Sequence, residues 1–84
     1  MKGILFREHR GGLAESMKTI VKINNHKELV EHCKSIMAKN NETFEPDNLK
    51  IAPYGGADSR IGWESVYIIT IKGFGVIGYT NKIC

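Results

Sequence analysis

A single stretch of the sequence has the spacing of an amphipathic helix, and segments typical of strands lie on both sides of it. Asn25 can cap this helix, and Glu28 follows at the spacing of a capping box. Apolar residues then recur along one side, at Leu29, Val30, Cys33, Ile36 and Met37. The pattern predicts one helix that packs a single apolar side against a sheet.

The flanking segments have the alternation and composition of strands. They cover residues 3–9 and 17–23 before the helix, and 49–54, 64–73 and 74–81 after it. The letters AESMK (14–18) also fit a helical turn, so the start of the second strand stays open. Pro53 restricts its strand to a sheet edge or to the strand end, because proline cannot donate a ladder hydrogen bond. The order ββαβββ predicts an α+β fold, with a mostly antiparallel sheet and one helix packed on a face.

Size and composition place the chain in a broad class. Residues 1–84 are expected to form one domain, and so small a core favours self-association into a homo-oligomer. No stretch approaches the roughly 20 apolar residues of a membrane span. The N-terminus lacks a secretory pattern, and Cys33 and Cys84 lack metal-ligand spacing. We therefore expect a cytoplasmic protein with reduced thiols and no cofactor.

All three arginines lie in two glycine-containing stretches, REHRGG (7–12) and GGADSRIGW (55–63). Arginine matches phosphate or carboxylate oxygens with two donors, and glycines allow the backbone to approach a ligand. Aromatic rings beside them offer a face for a base. The candidate ligand-binding residues are Arg7, His9, Arg10, Gly11, Gly12, Tyr54, Arg60 and Trp63, with Gly55 and Gly56 as further backbone contacts. Together they predict binding of a small, anionic, phosphorylated and planar molecule.

Each part of this pattern also has a purely structural interpretation. Glycine pairs are commonly turns, and a lone tryptophan in a small domain is commonly a core residue. Arg60 could pair with Asp58 or Glu64, and Arg7 with Glu8 or Glu15, as surface ion pairs of little energetic weight. The sequence therefore leaves Trp63 open between core and site.

The histidines favour binding over catalysis. His9 could act as a general base, but strand alternation places Glu8 on the opposite face, and no nucleophile motif accompanies it. His26 is expected in solvent and His32 is expected to point away from the apolar stripe. No histidine pair has i, i+4 spacing on the helix, so we expect no metal site. The net charge of +3 is too weak, and the helix too mixed in charge, to indicate a nucleic-acid interface.

FREHRGGLAESM near the start and DSRIGW, YIITI and GVIGYTN near the end resemble a group of short, uncharacterised proteins from bacteriophages and prophages. Small phage proteins of this kind are often inhibitors of host defence. Some bind a defence enzyme, and others sequester nucleotide second messengers of bacterial immune signalling. The resemblance implies an anti-defence role without assigning an activity to any residue.

Three hypotheses follow, and they belong to different classes. The first is a non-enzymatic phage protein that sequesters a nucleotide-derived signal through Arg7, Arg10 and Arg60. The second is a protein–protein inhibitor in which the same arginines contact an acidic surface of a host defence protein. The third, with the least support, is a small enzyme that acts on phosphorylated substrates through His9.

Overall fold

The computed structural model of the chain describes residues 4–9, 13–55 and 62–82, with the backbone alone at 13 and 14. These residues form five strands, two α-helices and a short 3₁₀ helix, Pro46–Asn48. The strands are β1 (Ile4–Glu8), β2 (Val21–Ile23), β3 (Leu49–Gly55), β4 (Val66–Ile71) and β5 (Gly75–Thr80), and the helices are α1 (Leu13–Met17) and α2 (His26–Lys39). All pairings are antiparallel, in the order β2-β1-β5-β4-β3. The predicted α+β class and the ββαβββ order are confirmed, with α1 inserted between the first two strands.

Helix α2 begins and packs largely as its sequence predicts. The side-chain oxygen of Asn25 accepts a hydrogen bond from the backbone N–H of Glu28. The Glu28 carboxylate, however, accepts from the backbone N–H of Asn24 and not from that of the cap residue. The buried side of the helix is formed by Leu29, Cys33, Ile36 and Met37. This side covers one face of the sheet and forms the core with Phe6, Ile23, Ile69, Ile71 and Ile77.

Two boundaries differ from the sequence-based expectation. The strand predicted for 17–23 is reduced to Val21–Ile23, because the chain is still turning at Thr19. The Thr19 backbone N–H donates to the Ser16 carbonyl, and its hydroxyl donates to the same oxygen over 2.6 Å. The alternative of a helical turn at 14–18 is the correct one, as α1. His32 was expected to point away from the apolar side, but it is half-buried with its ring edge against Phe6.

The later strands follow the prediction closely. Strand β3 lies at an edge of the sheet, where Pro53 is tolerated. Strands β4 and β5 form a hairpin whose turn contains Gly73 with φ of +85°. The ladder between them shifts by one residue between Ile69 and Thr70, which leaves Ile77 as an extra residue on β5. This bulge sets which side chains of β5 point away from α2.

Candidate functional site

The face of the sheet turned away from α2 brings together four of the predicted site residues. Arg7 and His9 alternate with the core residue Phe6 and with Glu8 along the start of the chain, so they point to this side. Tyr54 and Trp63 reach the same region from the end of β3 and from the segment before β4. Tyr79 of β5 lies at the centre, directly opposite Arg7 in the ladder. We call these five residues the Arg7 cluster.

Arg7 is buried, with 9% of its surface exposed. Its guanidinium carbon lies 4.6 Å from the centre of the Tyr79 ring and 5.7 Å from that of Trp63. One nitrogen, Nη1, donates to the Ser16 hydroxyl over 2.9 Å, whereas Nε is buried without a hydrogen-bond partner. The cation is therefore held by two aromatic rings and a neutral hydroxyl.

The alternative interpretation of Arg7 as part of a surface ion pair with Glu8 or Glu15 does not hold, because Arg7 is buried and contacts neither carboxylate. The carboxylate of Glu15 lies 3.9 Å from the ammonium of Lys18 instead, and both side chains are exposed. Glu8 pairs with Gly78 in the ladder and points towards α2. Within the part of the chain that the structure describes, the Arg7 guanidinium has no carboxylate partner.

His9 and Tyr79 form a hydrogen-bonded pair next to this cation. Nδ1 of His9 lies 2.9 Å from the hydroxyl oxygen of Tyr79, and the two rings meet edge to face. Burial raises the pKa of the Tyr79 phenol above its ordinary value, and Tyr54 adds to this effect while Arg7 opposes it. Tyr79 therefore keeps its proton at neutral pH.

Trp63 and Tyr54 have different places in the cluster. Trp63 is 5% exposed and lies outside the core under α2, so its ring forms a buried wall beside Arg7. Tyr54 is 61% exposed and its ring centre lies 5.5 Å from that of Tyr79. It stands at an irregularity of the β3 ladder, between Pro53 and Gly55. Of the two aromatic residues predicted to stack on a ligand, Tyr54 is the accessible one.

The other predicted residues divide as follows. Gly55 ends β3. Arg10, Gly11, Gly12, Gly56 and Arg60 lie outside the described residues, as does Cys84. Tyr79 and Ser16 were missed by the sequence analysis. The GVIGYTN segment does predict a strand, but only the pairing register places Tyr79 opposite Arg7.

The charged strand residues are separated between the two faces of the sheet. Lys22 pairs with Leu5 and Lys50 pairs with Thr70, so both lysines lie on the same face as Arg7. Among the described strand residues, Glu8 is the one carboxylate, and it lies on the α2 side. Among these described strand residues, the face with the Arg7 cluster therefore has three cations and no carboxylate, a balance that favours anions over cations.

In the ranges 4–9, 13–55 and 62–82, no group of three or more His, Cys, Asp or Glu side chains could hold a metal ion. No helix in those ranges is long and apolar enough to cross a membrane.

No protein-family model matches the sequence, and no curated protein or solved structure is significantly similar to it. The chemistry of the Arg7 cluster is therefore the basis for a functional proposal.

Proposed function

We propose that the chain binds a small anionic ligand with a planar ring, and that Arg7 contacts the anionic group. The observation that carries this proposal is the buried guanidinium with an unpartnered Nε and no carboxylate among the described residues. A buried charge without a counter-charge is costly, and buried charges in proteins are normally paired. Contact with each ring offsets about 2 kcal/mol of this cost, and a bound anion would add charge-assisted hydrogen bonds.

The aromatic part of the cluster supports a ligand that has both a ring and a charge. Tyr54 is exposed and adjoins Tyr79, so a planar ring can stack on Tyr54 while the anionic group lies near Arg7. Phosphorylated nucleotide derivatives combine these two features. The cations Lys22 and Lys50 on the same face favour the same charge.

We propose that the chain binds its ligand without converting it. Nδ1 of His9 is already engaged by the Tyr79 hydroxyl, which suits a hydrogen-bonding role better than proton abstraction. Together with the resemblance to small phage proteins, this favours a cytoplasmic protein that sequesters a nucleotide-derived immune signal. A homo-oligomer would add buried surface to a chain of 84 residues.

The test is thermal unfolding with cyclic dinucleotides, cyclic oligonucleotides and ADP-ribose derivatives, on the wild type and on Arg7→Met. A ligand at a hundred times its dissociation constant should stabilise the wild type by about 2.7 kcal/mol. Arg7→Met should lose this gain while the unliganded protein keeps or increases its stability, because an apolar side chain of similar length replaces a buried unpaired charge. Lys34→Met, on the exposed side of α2, is the control and should behave as wild type.

Two outcomes would contradict the proposal. Stabilisation that persists unchanged in Arg7→Met would remove Arg7 from the site. The absence of stabilisation by every compound would favour the alternative of a protein–protein inhibitor. In that case a host protein recovered in a pull-down with wild type and Lys34→Met, but not with Arg7→Met, would assign the same cluster to a protein interface.

A further inference from the structure

Within the Arg7 cluster, Tyr79 is the residue that contacts both Arg7 and His9, the two polar side chains proposed to bind the ligand. The face of its ring lies under the guanidinium of Arg7, and its hydroxyl meets Nδ1 of His9. Arg7 and His9 are two residues apart on the same side of the extended chain, about 7 Å along it. Both side chains therefore contact the same tyrosine, which lies near the opposite end of the sequence.

The hydrogen bond between Tyr79 and His9 has a preferred direction. A phenol that keeps its proton is a good donor, and an unprotonated imidazole nitrogen is a good acceptor. When the Tyr79 hydroxyl donates to Nδ1, the proton of the neutral imidazole must reside on Nε2. The His9 ring is exposed, so this N–H can reach a ligand.

We propose that Tyr79 is a positioning residue that holds His9 as the Nε2–H tautomer, so that His9 and Arg7 donate hydrogen bonds to one anionic group. The contact with the anion rests on the proposed function, whereas the tautomer does not. A phosphoryl group fits these donors, because its three acceptor oxygens can receive bonds from both residues at once. The cluster thus selects a phosphate ester with at least two non-bridging oxygens, which phosphodiesters also provide.

The first test needs no ligand. Two-bond ¹H–¹⁵N correlation spectra, at a pH where the imidazoles are neutral, report which nitrogen carries the proton. For His9 we expect an unprotonated Nδ1 and a protonated Nε2, with the signals assigned by their loss in His9→Ala. Tyr79→Phe keeps the ring under Arg7 but removes the hydroxyl, and it should shift both signals towards a tautomer mixture. A proton on Nδ1 in the wild type, or no shift in Tyr79→Phe, would overturn the assignment.

In the second test, inorganic phosphate is titrated into the protein, and its binding is followed through the ¹H–¹⁵N signals of the protein. His9→Ala should weaken binding by about tenfold, the effect of one hydrogen bond. Tyr79→Phe should weaken it less, by about twofold, because only part of His9 then leaves the Nε2–H tautomer. The double variant should be no weaker than His9→Ala alone, because the Tyr79 hydroxyl acts only through the imidazole. Tyr67→Phe, a half-buried tyrosine on β4, is the matched control and should bind as wild type.

The outcomes of the two tests separate the inference from the proposed function. Additive losses in the double variant would overturn the positioning role of Tyr79, even if phosphate still requires Arg7. Failure of inorganic phosphate to bind the wild type would overturn the two-donor contact. The proposed function would fall only if the ring-containing phosphates also failed to stabilise the protein.

Discussion

The face of the sheet under α2 and the face that carries Arg7 are built from alternate residues of the same strands, yet they differ in what they bury. Under α2, Phe6, Ile69 and Ile71 pack against an apolar helix side. On the other face, the buried groups include a guanidinium, an indole and the Ser16 hydroxyl, with Val66 as an apolar neighbour. Apolar burial stabilises the fold and explains the first face, whereas a buried cation with no carboxylate partner among the described residues does not stabilise a fold.

This contrast separates residues that are needed for folding from residues that are available for binding. Substitutions on the α2 side that remove apolar contacts should reduce the free energy of unfolding. Substitutions of polar groups in the Arg7 cluster should change ligand binding and leave stability nearly constant. Arg7→Met and Tyr79→Phe test the expectation for the Arg7 cluster. Changes at Phe6, Gly78 and His32 test the contribution of the α2 side to stability.

Phe6→Ala should have the largest effect on stability. Phe6 is fully buried at the centre of the core, and replacing such a ring by alanine removes about 3–5 kcal/mol of stability. A domain of this size has little more than that to lose, so the variant should be largely unfolded at room temperature. Urea unfolding followed by circular dichroism measures the loss. Phe74→Ala is the control, because Phe74 is exposed in the β4–β5 turn and should lose under 1 kcal/mol.

Equal losses in the two phenylalanine variants would contradict the assignment of Phe6 to the centre of the core. That result would mean that the β4–β5 turn contributes as much apolar burial as the centre of the core.

Gly78→Ala should have the next largest effect, because Gly78 packs closely against the Phe6 ring and against the backbone of β1 at Arg7. A Cβ atom there would be 2.6 Å from the backbone carbonyl oxygen of Arg7 and 2.7 Å from Cε2 of Phe6. The carbonyl cannot move without shifting β1, so we expect a loss of about 1–3 kcal/mol, typical of overpacking. Thermal and urea unfolding provide the measurement.

Gly55→Ala is the matched control for this change. Among the described residues, no atom lies within 4 Å of a Cβ at Gly55, so the variant should stay within about 0.5 kcal/mol of wild type. If Gly78→Ala were as stable as Gly55→Ala, the close approach of Phe6 and of the Arg7 carbonyl oxygen to Gly78 could not constrain the sheet.

The same two faces differ in how much of them could be predicted from sequence. The buried side of α2 was predicted residue by residue at Leu29, Cys33, Ile36 and Met37, because helical spacing is a local property of the chain. The antiparallel strands and the position of Pro53 at an edge also follow from local patterns.

The Arg7 cluster was predicted only in part. The grouping of arginines, glycines and aromatic residues indicated Arg7, His9, Tyr54 and Trp63, but Tyr79 is separated from Arg7 by most of the chain. Their contact depends on the register between β1 and β5, and a slip of one residue would turn Tyr79 to the α2 side. No local pattern specifies that register. The same limit explains why the sequence suggested a surface ion pair where the structure has a buried cation.

The smallest effect that we predict concerns His32, a titratable group on the apolar side of the sheet. Burial lowers the pKa of His32 from its ordinary value of 6.5; Glu8 raises it and Lys39 lowers it further, both by smaller amounts. As the pH falls through 6.5 towards the lower pKa of the folded state, the unfolded chain binds more protons than the native one. The folded state therefore loses stability over that interval.

His32→Leu should remove this part of the pH dependence. Urea unfolding from neutral to mildly acidic pH should show wild type losing stability relative to His32→Leu as the pH falls below 6.5. The control His26→Leu replaces an exposed ring at the start of α2 and should keep the wild-type dependence. A constant difference between wild type and His32→Leu at all pH values would mean that the ring is as well solvated as in the unfolded chain. The α2 side would then admit water at His32. The contrast between an apolar face under α2 and a polar face around Arg7 would then hold only for the residues around Phe6.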